Sequence, residues 1–242
     1  MSVIAIIQAR MGSTRLPGKI LKEVNGHPLL FYQLERLKGS KLIDEIVIAT
    51  TTKEQDNEIV TFCEQYGVSY YRGSETDVLS RYFNAAVKFN ADTIVRLTSD
   101  CPIIDVEVVD KTIQYFLELD HCDYVSNTLE RTYPRGLDTE VFTYMALEKA
   151  YKEAFLDRDR EHVTPYIYTN QDLFAVGFLK NKIDYSNYRL TVDTEEDFEL
   201  IKLIINALFK RNPNFTLIDI VTLMENNPQW FDINSHIEQK KL

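Results

Sequence analysis

The alternation of apolar and polar positions divides the first half of the chain into short buried runs and amphipathic stretches. The run Val3–Gln8 is almost wholly apolar, which is typical of a strand that is buried on both faces. A helical pattern opens at Pro28 and places four leucines on one face. The same patterns predict further strands at 45–50, 68–72, 93–98 and 123–127, and helices at 56–66, 77–89 and 105–119.

This βαβα order predicts an α/β protein with a mostly parallel sheet, right-handed crossovers and helices on both faces. Ligands of such sheets bind beyond the carboxyl ends of the strands. The segments 8–19, 72–77 and 98–102 each follow a predicted strand. We therefore expect these three loops to gather at one edge of the sheet.

The second half of the chain has a less regular pattern. Residues 194–209 form a strong amphipathic helical pattern that begins at the capping candidate Thr194. The remaining segments are predicted as extended or loop structure at 128–142, helices at 143–155, 158–169 and 217–225, and a strand at 173–179.

The domain organisation predicted from these segments is simple. Residues 1–225 form a single domain, and 128–180 are a mid-chain excursion within it. Residues 226–242 form a polar tail that we expect to be loosely held.

Composition narrows the classes of function. The chain has 242 residues, 45% of them apolar, and a net charge of −10, so a general nucleic-acid or membrane surface is not expected. Three scattered cysteines form no CxxC pair, which favours a reducing cytoplasm. We expect neither a signal peptide nor a membrane span, since no apolar run approaches 18 residues.

The loop Gln8–Lys19 is the most distinctive segment of this acidic chain. It carries Arg10, Arg15 and Lys19 and no acid, and its small residues let the backbone come close to a ligand. Backbone N–H groups and fixed cations are what a phosphate requires. The loop is either a phosphate site or a solvated basic loop, and its place behind a buried strand favours the former.

Six motifs together resemble the cytidylyltransferases that activate acidic sugars, namely the CMP-KDO and CMP-sialic acid synthetases. They resemble more closely the SpsF-like branch, named for spore coat polysaccharide synthesis, and the resemblance spans residues 3–209. The motifs are QARMGSTRLPGK, RGSETDVLSRY, RLTSDCP, YPRGLDTEVF, REHVTPY and YRLTVDTEEDF.

The resemblance implies a Rossmann-like nucleotide-diphospho-sugar transferase fold and transfer of CMP from CTP to a sugar hydroxyl. Pyrophosphate is released, Mg²⁺ is the cofactor, and CTP and a sugar acceptor, an acidic one by this resemblance, are the small-molecule partners. Related synthetases commonly form dimers through an arm from the middle of the chain, so we expect a homodimer with 128–180 as the candidate arm.

The resemblance also implies roles for individual residues. Asp100 and Asp193 hold the metal, although each also occupies a position where it could cap a turn or helix. The residues predicted to act directly in catalysis are Arg10, Arg15, Lys19 and Asp100. The predicted nucleotide-binding set is Ala9, Arg10, Met11, Gly12, Ser13, Arg15, Lys19, Gly73, Ser74, Asp77 and Arg96.

Several of these residues have a second interpretation. Asp77 lies four positions before Arg81 and could simply form an ion pair with it on one helix face. Arg96 could be paired in the core or could reach a phosphate. Cys101 is expected to be a small packed residue rather than a catalytic thiol.

The sugar acceptor is predicted to lie against the irregular segment YPRGLDTEVF and the motif REHVTPY, which falls in a predicted helical stretch. An arginine can bind a carboxylate in a bidentate manner, and carboxylates accept hydrogen bonds from sugar hydroxyls. His162 could assist deprotonation of the attacking hydroxyl or be a surface or core residue, and no general base is assigned. The predicted substrate residues are Arg135, Asp138, Glu140, His162 and Thr164.

Two other functions stay open at this point. The same fold could use another NTP with a phosphorylated sugar, a polyol phosphate or a pterin. A non-catalytic nucleotide-binding regulator is the second alternative, although binding alone would not need a pair of metal aspartates.

Overall fold

The computed structural model describes residues 1–239, within which nine strands and ten α-helices are defined. The strands are β1 (Val3–Gln8), β2 (Glu23–Val24), β3 (His27–Pro28), β4 (Glu45–Thr51), β5 (Ser69–Gly73), β6 (Thr93–Thr98), β7 (Tyr124–Ser126), β8 (Glu140–Thr143) and β9 (Val176–Phe178). The helices are α1 (Leu29–Leu37), α2 (Asn57–Tyr66), α3 (Val78–Lys88), α4 (Val106–Glu118), α5 (Tyr144–Glu153), α6 (Asp157–His162), α7 (Pro165–Thr169), α8 (Glu195–Leu208), α9 (Leu217–Asn226) and α10 (Phe231–Asn234).

Seven of the strands form one sheet in the order β5-β4-β1-β6-β8-β7-β9, while β2 and β3 form a small hairpin. Pairings among β5, β4, β1 and β6 are parallel, and β8 is antiparallel to both β6 and β7. The predicted α/β fold with a mostly parallel sheet is therefore confirmed. The antiparallel strand brings Glu140 opposite Arg96, near the carboxyl end of β6.

Both faces of the central strand are covered, as its continuous apolar sequence predicts. Ala5 and Ile7 belong to a core cluster that includes Leu30 and Leu34 of α1. The alternate residues of the same strand, such as Ile6, pack with α3 and α5 on the opposite face. A third cluster joins α1 to α8, α9 and the residues around α10. None of the helices among residues 1–239 is long and apolar enough to cross a bilayer.

The segment 128–142, predicted as extended or loop structure, ends in strand β8, because Glu140–Thr143 completes the ladder between β6 and β7. One prediction for the second half was wrong. The tail from residue 226 onward is held against the core through residue 239, since Trp230, Phe231 and Ile233 pack on the third cluster. Residues 240–242 of that tail lie outside the described residues.

The segment 128–180 is part of the same domain: it contributes strands β8 and β9 to the main sheet and also contains helices α5–α7. Its irregular part is fixed by a close backbone crossing at Gly136. This glycine has φ of +100°, and a Cβ there would lie 2.4 Å from the Leu190 carbonyl carbon. The Leu190 N–H donates to the Arg135 carbonyl at 2.7 Å. A glycine is required at this crossing because any side chain would collide with backbone.

Candidate active site

A cleft of about 730 Å³ opens at the carboxyl ends of β1 and β6. The segment around Gly136 and the chain before α8 form its other walls. Eleven of the predicted site residues line this cleft, namely Ala9, Arg10, Ser13, Arg15, Lys19, Arg96, Asp100, Arg135, Asp138, His162 and Asp193. The predicted residues that do not line it are Met11, Gly12, Gly73, Ser74, Asp77, Glu140 and Thr164.

The loop after β1 is fixed by its own backbone. The Met11 N–H donates to Asp56 Oδ1 at 2.7 Å, and the Met11 carbonyl accepts from the Ser13 and Gly18 N–H groups. Gly18 takes a φ of +66°, which lets the chain turn into the short 3₁₀ helix that carries Lys19. These hydrogen bonds fix the backbone from which the loop's cations project. Met11 stabilises the loop through its backbone and does not line the cleft.

Lys19 lies between the two aspartates that were predicted to hold a metal. Its Nζ is 3.1 Å from Asp100 Oδ2 and 2.8 Å from Asp193 Oδ1, and it also donates to the Val192 carbonyl at 2.6 Å. Burial lowers the pKa of Lys19, but the two carboxylates outweigh it and raise the pKa above 10.5. The ammonium group therefore stays charged. Asp100 and Asp193 lie close together in the fold, since both contact the same Lys19 Nζ.

Each of the two aspartates is held by further partners. Burial would raise the pKa of Asp100, but the charge of Lys19 and a hydrogen bond from Thr98 outweigh burial and lower it. Asp193 also pairs with Arg15 at 2.9 Å and with Arg189 at 2.8 Å. Both carboxylates are therefore held in place by fixed cations, Asp100 by Lys19 and Asp193 by Lys19, Arg15 and Arg189.

The chemistry of these donors fits a divalent cation. The Lys19 ammonium group already occupies a position between two carboxylates, which shows that a cation is stable there. Within residues 1–239, no group of three or more His, Cys, Asp or Glu side chains could hold a metal. Mg²⁺ suits such a site, because it is bound by one or two carboxylates together with substrate phosphates and water.

The predicted base-binding segment follows β5. Asp77 caps α3 by accepting from the Ser80 N–H, and its ion-pair partner is Arg160. The alternative interpretation of Asp77, an ion pair with Arg81, is therefore not found. The Arg81 guanidinium, which is 2% exposed, instead donates to the Ser74 carbonyl and lines the cleft.

Arg81 is a site candidate that was not singled out from the sequence. Its Nε is buried and has no hydrogen-bond partner among the described residues. A buried donor without a partner is costly, and the Nε of Arg96, which also lines the cleft, shares this feature. The signal in the sequence was the second arginine of RGSETDVLSRY.

Arg96, which lines the cleft, forms a buried ion pair with Glu140. The other Glu140 oxygen accepts from the Tyr124 and Thr164 hydroxyls, each at 2.6 Å. Arg96 is thus paired in the core as well as lining the cleft, and its contact with a phosphate stays a prediction. Because the Thr164 hydroxyl donates to the Glu140 carboxylate, the two side chains are bonded to each other. Neither lines the cleft, so this geometry does not support their predicted contact with substrate.

The acceptor side of the cleft contains Arg135, Asp138 and His162. Asp138 is held in a bidentate pair by Arg131, at 2.6 and 3.0 Å. The Arg135 guanidinium has no hydrogen bond or ion pair with any residue in 1–239. Burial and the neighbouring Arg131 charge lower the pKa of Arg135 and outweigh the opposite effect of Asp138.

Cys101 lines the same cleft but has no nucleophilic character. Burial, followed by the charge of Asp100, raises the pKa of its thiol well above the ordinary value. The side chain is 3% exposed and packs in the core cluster beneath the sheet edge. The expectation of a small packed residue therefore agrees with its environment.

An open α/β sheet with a basic loop at its carboxyl edge, and two carboxylates there bridged by a lysine, is the arrangement expected of a nucleotidyltransferase. The chain belongs to the cytidylyltransferase family, whose model, described as "Cytidylyltransferase", matches residues 4–225.

Two relatives support this membership. The spore coat polysaccharide biosynthesis protein SpsF of Bacillus subtilis (strain 168) is 36% identical over 234 residues, covering 93% of this chain and 95% of the relative. The structure of a cytidylyltransferase from Leptospira borgpetersenii serovar Hardjo-bovis (strain JB197) superposes with a TM-score of 0.91 at 38% identity, with both chains fully covered. The resemblance to the SpsF-like branch is therefore confirmed.

A third relative shares the fold alone. It is a CMP:2-keto-3-deoxy-manno-octonic acid synthetase complexed with CTP, which superposes with a TM-score of 0.66 at 16% identity and covers 86% of this chain and 99% of its own. The predicted Rossmann-like nucleotidyltransferase fold is thus confirmed.

Proposed function

We propose that this protein transfers CMP from CTP to a hydroxyl group of an acidic sugar, with Mg²⁺ as cofactor. The acceptor oxygen attacks the α-phosphorus, the bond to the bridging oxygen breaks, and pyrophosphate leaves. The hydroxyl proton passes to water or to His162, which lines the same cleft. The product is a precursor of a surface polysaccharide or glycan.

The observation that carries this proposal is the position of Lys19 between Asp100 and Asp193, beside the basic loop. Arg10 and Arg15 stand at the mouth of the cleft, where the negative triphosphate would lie. Fixed cations that neutralise a leaving pyrophosphate supply the electrostatic stabilisation that phosphoryl chemistry needs.

Asp100 and Asp193 are the residues that would hold Mg²⁺. When bound, the metal would neutralise phosphate charge and lower the pKa of an oxygen that it contacts. In this proposal Lys19 then turns from the carboxylates toward the phosphates, since one position cannot hold two cations.

Arg135 supports an acidic acceptor. Its guanidinium is half-buried in the cleft without a carboxylate partner in residues 1–239, and a planar guanidinium binds a carboxylate through two parallel hydrogen bonds. The similarity to SpsF adds the polysaccharide context, and the CTP-bound structure of the more distant synthetase adds the nucleotide.

We also propose that the protein is a cytoplasmic homodimer. Three cysteines without disulfide partners fit a reducing compartment. Phe155 and Leu156, in the predicted dimer arm, are 86% and 62% exposed. Adjacent large apolar side chains left in water are typical of an interaction surface.

Pyrophosphate release tests the reaction. CTP, ATP, GTP and UTP are each supplied with Mg²⁺ and a panel of acidic sugars, and the D100N variant supplies the background. We expect release above that background with CTP and at least one acidic sugar. Absence of release with every nucleotide and every sugar would refute the proposed function.

A further inference from the structure

The C-terminal segment, which we define as residues 231–239, reaches the metal end of the cleft. Asn234 in α10 is 3% exposed, and its amide nitrogen donates to Asp197 Oδ1 at 2.9 Å and to the Arg189 carbonyl at 3.0 Å. An asparagine amide buried with both protons bonded fixes the two groups that it joins.

Asp197 connects this contact to the backbone of Asp193. Its side chain is fully buried, and Oδ2 accepts from the Asp193 N–H at 2.9 Å and from the Thr194 N–H at 3.2 Å. Arg189 Nε donates to Oδ1 of the same carboxylate at 2.8 Å. The peptide that carries Asp193 is therefore held by a carboxylate that Asn234 helps to orient.

A second route joins the segment to the Asp193 side chain. Gln239, which lines the cleft, accepts through Oε1 from Arg189 Nη1 at 2.7 Å. Arg189 Nη2 donates in turn to Asp193 Oδ2 at 2.8 Å. Asp193 Oδ2 is therefore oriented by Arg189, and Gln239 of the C-terminal segment in turn orients Arg189.

We propose that the C-terminal segment is part of the catalytic apparatus, and that Asn234 and Gln239 are positioning residues for the metal carboxylate Asp193. The role toward Mg²⁺ rests on the proposed function. The segment acts through Asp197 and Arg189, which hold the Asp193 backbone and carboxylate in the arrangement that faces Asp100. Loss of either contact loosens Asp193 without removing any group that touches the substrate.

The N234A variant tests the backbone route, with I233A as its matched control. Ile233 packs on the same core cluster from the neighbouring position of α10 and has no part in the hydrogen bonds around Asp197. Both variants are expected to lower the melting temperature. Only N234A is expected to speed hydrogen exchange of the Asp193 amide, measured by NMR without nucleotide. Equal exchange in the two variants would overturn the proposal.

Metal affinity is the second readout, measured as binding of Mn²⁺ in the presence of CTP and without acceptor by electron paramagnetic resonance. We expect about a 10-fold weaker Mn²⁺ affinity in N234A and a change below about two-fold in I233A. Second-sphere partners of metal ligands have effects of this size, on the order of 10-fold to 100-fold. The same weakening in both variants would assign Asn234 a purely structural role and overturn the proposal.

Gln239 is tested in the same way. Q239A is expected to weaken Mn²⁺ affinity by a smaller factor, E238A to leave it unchanged, and Q239E to restore it, since a glutamate keeps an acceptor for Arg189. No difference between Q239A and E238A would remove Gln239 from the proposal. If the wild-type protein releases no pyrophosphate but the Asp193 amide still separates N234A from I233A, the proposed function fails while the positioning of Asp193 stands.

Discussion

Lys19 Nζ lies 2.8 Å from Asp193 Oδ1, although the two residues are 174 positions apart in the chain. The ammonium group occupies a position between two carboxylates that would suit a divalent cation. If the proposed function holds, Mg²⁺ would displace Lys19 from this position, and the ammonium group would then face the triphosphate. One side chain would thus link metal binding to nucleotide binding.

The K19M variant is the direct test of this exchange. Without the competing ammonium group, 10 mM Mg²⁺ in the absence of CTP should raise the melting temperature of K19M more than that of the wild-type protein. Pyrophosphate release should fall about 100-fold or more, because a cation that stabilises the leaving group is lost. K22M is the control, since Lys22 pairs with Glu195 at 2.6 Å outside the cleft. An equal Mg²⁺ shift in K19M and wild type would contradict the exchange.

Arg135 should govern recognition of the acceptor anion. In R135A we expect the KM for the acidic sugar to rise about 10-fold to 100-fold, because a charge-assisted bidentate contact is lost. The KM for CTP should stay within about two-fold of the wild-type value. Steady-state kinetics with each substrate varied in turn would separate the two. R131A serves as a comparison, because Arg131 already holds Asp138. A rise confined to the KM for CTP would place Arg135 on the nucleotide.

The buried pair of Arg96 and Glu140 should be a stability element. Loss of the Glu140 charge in E140Q leaves Arg96 buried without its counter-ion, which costs about 3–5 kcal/mol. Urea unfolding should show this loss of free energy of unfolding, while E161Q in the cleft wall should unfold like the wild type. If E140Q keeps its stability but loses affinity for the sugar, Glu140 is a substrate ligand as the sequence predicted.

The buried cysteines should be unreactive in the folded protein. Burial raises the pKa of Cys63 to about 12, and burial followed by the Asp100 charge raises that of Cys101 further above its usual range. A raised pKa means that the thiolate is scarce at pH 8, so both thiols should resist iodoacetamide until the protein unfolds. Mass spectrometry of native and urea-treated protein measures this. C101S should retain activity, and its complete loss would require a role for the thiol.

The exposed pair Phe155 and Leu156 should hold the proposed dimer. The double variant F155E/L156E places two charges in the apolar surface and should be monomeric by light scattering at a concentration where the wild-type protein is dimeric. L173E introduces a charge at another exposed apolar residue, 43% exposed, and should leave the mass unchanged. A dimer that survives the double substitution would place the interface elsewhere.

The sequence by itself determined the central strands and the basic loop, because these depend on local pattern. The continuous apolar run of β1 can be satisfied only by burial on both faces, and the acid-free loop that follows it has few roles other than binding an anion. The motifs were enough to identify the family, since several short segments matched in order along most of the chain.

Only the tertiary structure decided which charges meet. Lys19, Asp100 and Asp193 come together because three separate segments end at one edge of the sheet, and no periodicity encodes a distance between segments 80 to 170 positions apart. The same holds for Arg96, whose partner Glu140 arrives on an antiparallel strand that the pattern did not predict. The C-terminal segment has the composition of a polar tail, yet Asn234 is buried. Its amide can be buried because folding places two hydrogen-bond acceptors beside it, the Asp197 carboxylate and the Arg189 carbonyl.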